Sequence, residues 1–336
     1  MTPNARSLWS RLRTDGSPAG GFIRLRFPQI SSCPVYAARR IDSGLEALIL
    51  EVDKQSIPTQ PQYPRTRGFE VSAESLEPGR TGTTRLLLSL AEERYRDVFQ
   101  ALTDDVVSHL AATTDADEAV QDVLQRLARW RLFLEQHDPE GLSTTEQRGL
   151  FGELVILQHL IGLGLSPDAA VRSWRGPTGS SKDFQLAGGS LEVKTTVAVT
   201  PSVFRVNNAQ QLDDSGVELL ILALVHLEET ESRGKSLAEL VDEVERALPA
   251  ATLPSWDEAL RTVGFLKIQS DRYQDLRYLV RARHFFRVMS GFPRLIASDL
   301  SSGIVDVAYS VSIPSIEAYR CDESLLTRLV PEHVSE

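Results

Sequence analysis

Lys182-Asp183-Phe184-Gln185-Leu186-Ala187-Gly188-Gly189-Ser190-Leu191-Glu192-Val193-Lys194 is the stretch from which the fold can be worked out. Two short runs, 182–187 and 190–196, flank Gly188-Gly189, and a double glycine between such runs predicts a two-residue hairpin turn. That turn sets Asp183 opposite Lys194 and Gln185 opposite Glu192. Phe184, Leu186, Leu191 and Val193 then take the other face, so one face is apolar and the other carries carboxylates and an ammonium. Opposed side chains stand roughly 4.5–5.5 Å apart and diagonal ones about 7–8 Å, close enough for Asp183 and Glu192 to bind one cation beside Lys194. The plainer alternative is a surface hairpin with an ordinary Asp183–Lys194 ion pair.

Upstream, Ser143 and Thr144 followed by Glu146 and Gln147 resemble a capping box and predict a helix to about Leu163, stopped by Gly164 and Pro167. Glu153 lies in an apolar turn of this helix. Gly149 and Gly152 each cost about 1 kcal/mol of helix stability unless a close neighbour requires them. Both lie on Glu153's own side, which predicts that this side abuts the sheet and brings in a third carboxylate. Such a set suits Mg²⁺, with Mn²⁺ as a substitute, because Mg²⁺ favours oxygen ligands, commonly one or two carboxylates with waters and phosphate oxygens. A nearby ammonium orients the attacking water or offsets charge at phosphorus, so the parts fit phosphodiester hydrolysis.

Outward from this stretch, Phe204–Val206 and Val217–Leu227 read as further strands, the second nearly all apolar and therefore central, and 236–248 and 254–263 read as helices. The region 278–311 reads as mixed. Toward the N-terminus, Phe22–Phe27, Pro34–Ile41, Leu45–Val52 and Thr84–Leu90 read as strands, then 91–113 and 115–136 as amphipathic helices, ending before Pro139. The expected organisation is a β-rich domain over 1–90, a helical connector over 91–138, and a third domain over 139–336 with its motif core at 141–230.

Composition narrows the function. With 42% hydrophobic and 24% charged residues among 336, disorder, collagen and coiled coil are excluded as the main architecture. The longest apolar run, Leu219–Val225, falls far short of the roughly 20 residues that span a bilayer. No signal-like segment opens the chain, so the expected location is cytoplasmic. Cys33 and Cys321 form no CxxC motif, and the histidines form no HExxH. A net charge of −10 argues against indiscriminate coating of nucleic acid. Locally, 261–294 carries eight basic residues against Asp271 and Asp275, interleaved with aromatics. An Arg-rich solvated face with core aromatics is the favoured reading, and a nucleic-acid surface that includes Arg281 and Arg283 is the alternative.

Asp183, eight intervening residues and Glu192-Val193-Lys194 resemble the D-x(n)-E-x-K pattern of the PD-(D/E)XK nuclease superfamily. The words Gly149-Leu150-Phe151-Gly152-Glu153-Leu154, Trp174-Arg175-Gly176-Pro177 and Leu191-Glu192-Val193-Lys194-Thr195-Thr196 look like its bacterial DUF4420-type subgroup. The proline of the superfamily name is absent, since Lys182 precedes Asp183. The resemblance implies an α/β chain whose restriction-endonuclease-like core of helix plus mixed central sheet carries Asp183 and Glu192 as metal ligands, Lys194 as catalytic lysine and Glu153 as helix carboxylate. It further implies a Mg²⁺-dependent endonuclease acting on DNA in a restriction or phage-defence system, alongside other proteins of a defence operon. A homodimer is compatible with it. The rival is a non-catalytic DNA-binding or scaffolding subunit that retains the fold. Gln210, Gln211, Arg172 and Arg175 are secondary candidates for contacts to phosphate or base, against turn capping for the amides and a packed loop with solvated arginines for the rest.

Overall fold

The computed structural model describes residues 5–12, 21–57, 63, 66–75, 82–304 and 306–330. The chain divides into two compact units, Met1–Gly141 and Leu142–Glu336.

In the first unit a short helix α1 (Ala5–Trp9) precedes strands β1 (Phe22–Arg26), β2 (Val35–Arg40), β3 (Glu46–Asp53), β4 (Phe69–Ser75) and β5 (Thr83–Leu90). All neighbours are antiparallel, in the order β1-β2-β3-β5-β4. The helices α2 (Arg96–Ala112) and α3 (Ala116–Gln136) belong to the same unit. The start of α3 follows from Asp115, whose side chain accepts from the Asp117 and Glu118 amides, two of the donors a helix start leaves unpaired. The Trp9 indole N–H donates to Ala38 O at 2.9 Å and its ring lies 5.8 Å from Phe99, tying α1 to both sheet and helix.

The second unit runs through α4 (Thr144–Gly162), α5 (Pro167–Ser173), β6 (Phe184–Leu186), β7 (Gly189–Thr196), β8 (Val203–Val206), β9 (Leu220–Thr230), β10 (Lys235–Ser236), α6 (Leu237–Ala247), α7 (Leu253–Thr262), β11 (Arg277–Val288), β12 (Tyr309–Ser312) and β13 (Arg320–Cys321). The main sheet has the order β10-β11-β9-β7-β6, with β13 also on β11. It is mixed: β7 and β9 are parallel and the other pairs antiparallel. The central β9 is apolar on both sides because both sides are covered. Ile221, Ala223, Val225 and Leu227 pack in the cluster that holds α4, while Leu220, Leu222 and Leu224 pack with Phe204 and Val206 of β8. The capping box on α4 is present: Ser143 Oγ accepts from the Glu146 amide, and Glu146 Oε2 accepts from the Ser143 amide at 2.8 Å. Leu154, Ile156, Leu157 and Leu160 on α4 are fully buried. Burial of each such side chain stabilises by roughly 1.5–3 kcal/mol at most.

The hairpin register departs from the sequence expectation. Phe184 pairs with Leu191 and Leu186 with Gly189, so the turn is Ala187-Gly188. Both glycines answer to distant neighbours instead. A Cβ on Gly188 would collide with the Arg328 carbonyl, and one on Gly189, at φ +146°, with that of Leu219. Relative to the expected pairing each partner moves by two positions, and an even slip keeps every side chain on its face. Gln185, expected opposite Glu192, pairs with Ser190 and is exposed.

In the Arg-rich stretch 261–294, Lys267, Arg272, Arg281, Arg283 and Arg287 are exposed, while Arg261, Arg277 and Arg294 are partly buried. Tyr273, Tyr278, Phe285, Phe286 and Phe292 are core residues, while Arg277 bonds Gly234 O and Glu239. Both cysteines are free. Among the described residues no helix is long and apolar enough to cross a membrane.

Candidate active site

The candidate site forms where β6 stops and β7 runs on. β6 pairs only as far as Phe184–Leu191, so Asp183 enters the sheet edge beside Glu192. The Val193 amide donates to Asp183 Oδ2 at 2.7 Å, so the carboxylate replaces a strand partner there. The main chain of Asp183 is fixed as well, because its carbonyl accepts from the Arg175 amide at 2.7 Å and the Gly176 amide at 3.1 Å.

Glu192 and Lys194 share a face of β7, two residues apart. Glu192 is 1% exposed. Its Oε1 accepts from Lys194 Nζ at 2.7 Å, and its Oε2 is buried with no hydrogen-bond partner. Lys194 Nζ also donates to the Gln211 amide oxygen at 3.0 Å, and that oxygen accepts from the Asn207 amide at 2.8 Å.

Glu153 approaches from α4. A Cβ on the preceding Gly152 would collide with Thr195 Oγ1 of β7, so this glycine is what lets the helix lie on the strand. Gly149, expected on the same grounds, faces open space. The Trp174 indole N–H donates to Glu153 Oε2 at 2.6 Å, and a Cβ on Gly176 would stand 2.6 Å from the same oxygen. Trp174 is in turn braced by Trp256 of α7, with ring centroids 5.7 Å apart.

Electrostatics join these groups. Burial first, and then the Asp183 carboxylate, push Glu192 up to about 8 against the pull of Lys194. Glu153 is held well above the usual carboxylate range by burial, then by Asp183, and Trp174 draws it down. Burial also raises Asp183, opposed by the Val193 amide and Lys194. Three acids thus crowd one partly dry region with more negative charge than Lys194 neutralises. Among the described residues, however, no three His, Cys, Asp or Glu side chains are gathered closely enough to hold a metal ion on their own. The donors still fit Mg²⁺, which takes as few as one or two carboxylates with waters and substrate oxygens. Asp183 and Glu192 supply two, and the unpartnered Glu192 Oε2 has no bond to surrender.

The secondary candidates scatter. Gln211 belongs to the cluster through Lys194, whereas Gln210 has an exposed side chain. Arg172 pairs with Asp168 on α5, and Arg175 is exposed beside Trp174. Arg281 pairs with Glu228. Arg281 and Arg283 stand on β11, across β9 from β7, and border a cavity of about 600 Å³ that none of the four cluster residues lines. Sequence reasoning missed the bond from Trp174 to Glu153, and those from Lys182 to the Gln210 carbonyl and from Arg294 to the Leu212 carbonyl and Asp214. Lys182 had a readable signal, since it is a cation in alternation with Phe184 and Leu186, the apolar face.

A model of the family described as "Putative PD-(D/E)XK family member, (DUF4420)" matches residues 5–314. No curated protein and no solved structure matches the chain.

Proposed function

The chain belongs to the DUF4420 family of PD-(D/E)XK type, and from that premise we propose that it is a Mg²⁺-dependent endonuclease that hydrolyses DNA phosphodiester bonds, with α4 and the β6–β7–β9 sheet as a restriction-endonuclease-like core. The observation that carries this reading is the buried Glu192 Oε2, without a partner and surrounded by excess carboxylate charge. Asp183 and Glu192 would hold the ion, with Glu153 beside it. When bound, Mg²⁺ polarises a phosphoryl oxygen and acidifies a water.

The chain's own residues do the rest. Lys194, with two of its three N–H groups engaged, points the third toward an attacking water or a phosphate oxygen and offsets charge building there. Glu153 holds a proton readily and sits where it can exchange one with water in the site. Arg175 is the exposed cation next to this cluster and suits a backbone phosphate. A setting in restriction or phage defence rests on the resemblance alone.

Incubation of the full chain with supercoiled plasmid and Mg²⁺ should give nicked or linear product, lost on chelation. Asp183→Asn and Lys194→Met should be inert while still folded, and undiminished cleavage by both would sink the assignment. An RNA substrate run in parallel separates the two nucleic acids. One pair of observations favours a second reading, a DNA-binding scaffold without activity: Lys194 already pairs with Glu192, and among the described residues no three ligands converge. Calorimetry decides between them, because that scaffold takes up neither Mg²⁺ nor Mn²⁺ through Asp183 and Glu192.

A further inference from the structure

The segment 207–214, between β8 and β9, carries Gln211 to Lys194, and it is gripped from two sides by cations, Lys182 buried and Arg294 partly buried. Lys182, only 6% exposed, donates from Nζ to the Gln210 carbonyl. Arg294, beyond β11, donates from Nη1 to the Leu212 carbonyl at 2.7 Å and from Nη2 to Asp214 Oδ1 at 2.7 Å. The main-chain carbonyls immediately before and after Gln211 are therefore each fixed by a side chain from a remote part of the unit. Asn208 Oδ1 completes the turn by accepting from the Gln210 and Gln211 amides, both at 3.1 Å.

Taking Lys182 and much of Arg294 out of water is costly, and packing alone would be served as well by apolar side chains of similar volume. What this arrangement adds is direction. A lysine ammonium is a point charge on a flexible stem, and a single bond to Glu192 would leave Lys194 free to swing about it. The Gln211 amide oxygen supplies a second fixed acceptor, but only while its own backbone is held.

We propose that Lys182 and Arg294 are positioning residues: they clamp the main chain on either side of Gln211, so that its amide oxygen fixes the orientation of the Lys194 ammonium. This rests on reading Lys194 as the catalytic amine, and the test is chosen to fail separately from that reading.

Trace acetylation of the intact protein, read by mass spectrometry with Lys235 as internal reference, reports how tightly Lys194 is held and requires no cleavage. Lys182→Met, Arg294→Met and Gln211→Ala should each raise Lys194 labelling several-fold. Lys182→Arg should return it toward wild type, and Lys182→Met with Gln211→Ala should add nothing beyond either alone. In cleavage assays the same variants should lower kcat with KM unchanged. Wild-type labelling in folded Lys182→Met and Arg294→Met overturns the clamp; if Lys182→Met does not fold, Arg294→Met alone decides in the same way. Altered labelling in a protein that cleaves no nucleic acid refutes the nuclease reading and leaves the clamp standing, whereas cleavage with unaltered labelling refutes only the clamp.

Discussion

Gly152 on α4 and Thr195 on β7 approach so closely that no side chain fits between them. This contact sets the spacing between helix and strand, and Glu153, the next residue, reaches the carboxylate cluster because of it. Gly149 and Gly152 on this helix thus have opposite standing: Gly152 touches Thr195, while nothing lies within contact of a Cβ at Gly149.

Gly149→Ala should therefore stabilise the chain by about 0.5–1 kcal/mol through reduced backbone entropy of the unfolded state. Gly152→Ala makes the same helical gain but should lose a net ~1–2 kcal/mol, because overpacking costs about 1–3 kcal/mol. Thr195→Ala in the Gly152→Ala background should recover much of that loss. Urea denaturation of the three variants checks the signs, and a stabilising Gly152→Ala would show that the helix does not rest on Thr195.

Trp174→Phe keeps an aromatic ring against Trp256 and deletes the N–H that holds Glu153. Leaving a polar group unpaired costs about 1–3 kcal/mol when it is fully buried, and Glu153 is half-buried, so a loss near the lower end of that range is expected. In a double-mutant cycle with Glu153→Met the two changes should couple by at least ~0.5 kcal/mol. Strict additivity in thermal denaturation would mean that Trp174 contributes only its packing.

Much of this site is local information, and that part is legible in the chain. Ser143 and Glu146 mark the start of α4 within four residues of each other, and alternation places Asp183, Glu192 and Lys194 on one face whether the turn is Gly188-Gly189 or Ala187-Gly188. The turn itself was not legible, because what fixes Gly188 and Gly189 is contact with Arg328 and Leu219, far away in sequence. The short α5 was hidden for a related reason: seven residues carry too little periodicity, and Ser166, whose side chain accepts from the Ala169 amide, defines its start. The roles of Trp174 and Arg294 depend on partners 21 and about 80 residues distant. Spacing along the chain carries no record of such partners.

The raised carboxylates give stability a defined pH dependence. Glu192 loses its proton near the ordinary 4.5 when unfolded and near 8 when folded. Between these values the folded state holds a proton that the unfolded state has released, so the contribution is complete below the lower value and fades as pH rises through the upper one. One such group gives a slope of at most about 1.4 kcal/mol per pH unit. Glu153, shifted in the same direction, adds to it, and the steps observed belong to the cluster as a whole. Metal-free protein should accordingly melt at a lower temperature at pH 8 than at pH 6. Glu192→Gln should flatten the difference, and saturating Mg²⁺ should restore stability at the higher pH. A melting temperature that rises from pH 6 to pH 8 in the metal-free protein would contradict this account of the cluster.

Lys194→Met separates ion binding from chemistry. Lys194 Nζ occupies Glu192 Oε1 at 2.7 Å, so its ammonium competes with any cation for that carboxylate. Removing it frees both Glu192 oxygens and deletes a like charge, which favours a divalent ion over the empty site. The same change deletes the donor that would orient water, and loss of one such group typically lowers kcat by about 10²–10³. Lys194→Met should therefore bind Mn²⁺ at least as tightly as wild type in calorimetry while cleavage is lost. Without metal it should be less stable, because Glu192 is left buried and unpaired, and Lys194→Met with Glu192→Leu should regain part of the deficit. Weaker Mn²⁺ binding in Lys194→Met would mean that the lysine helps to build the ion site, and the division of roles between Lys194 and the carboxylates would have to be redrawn.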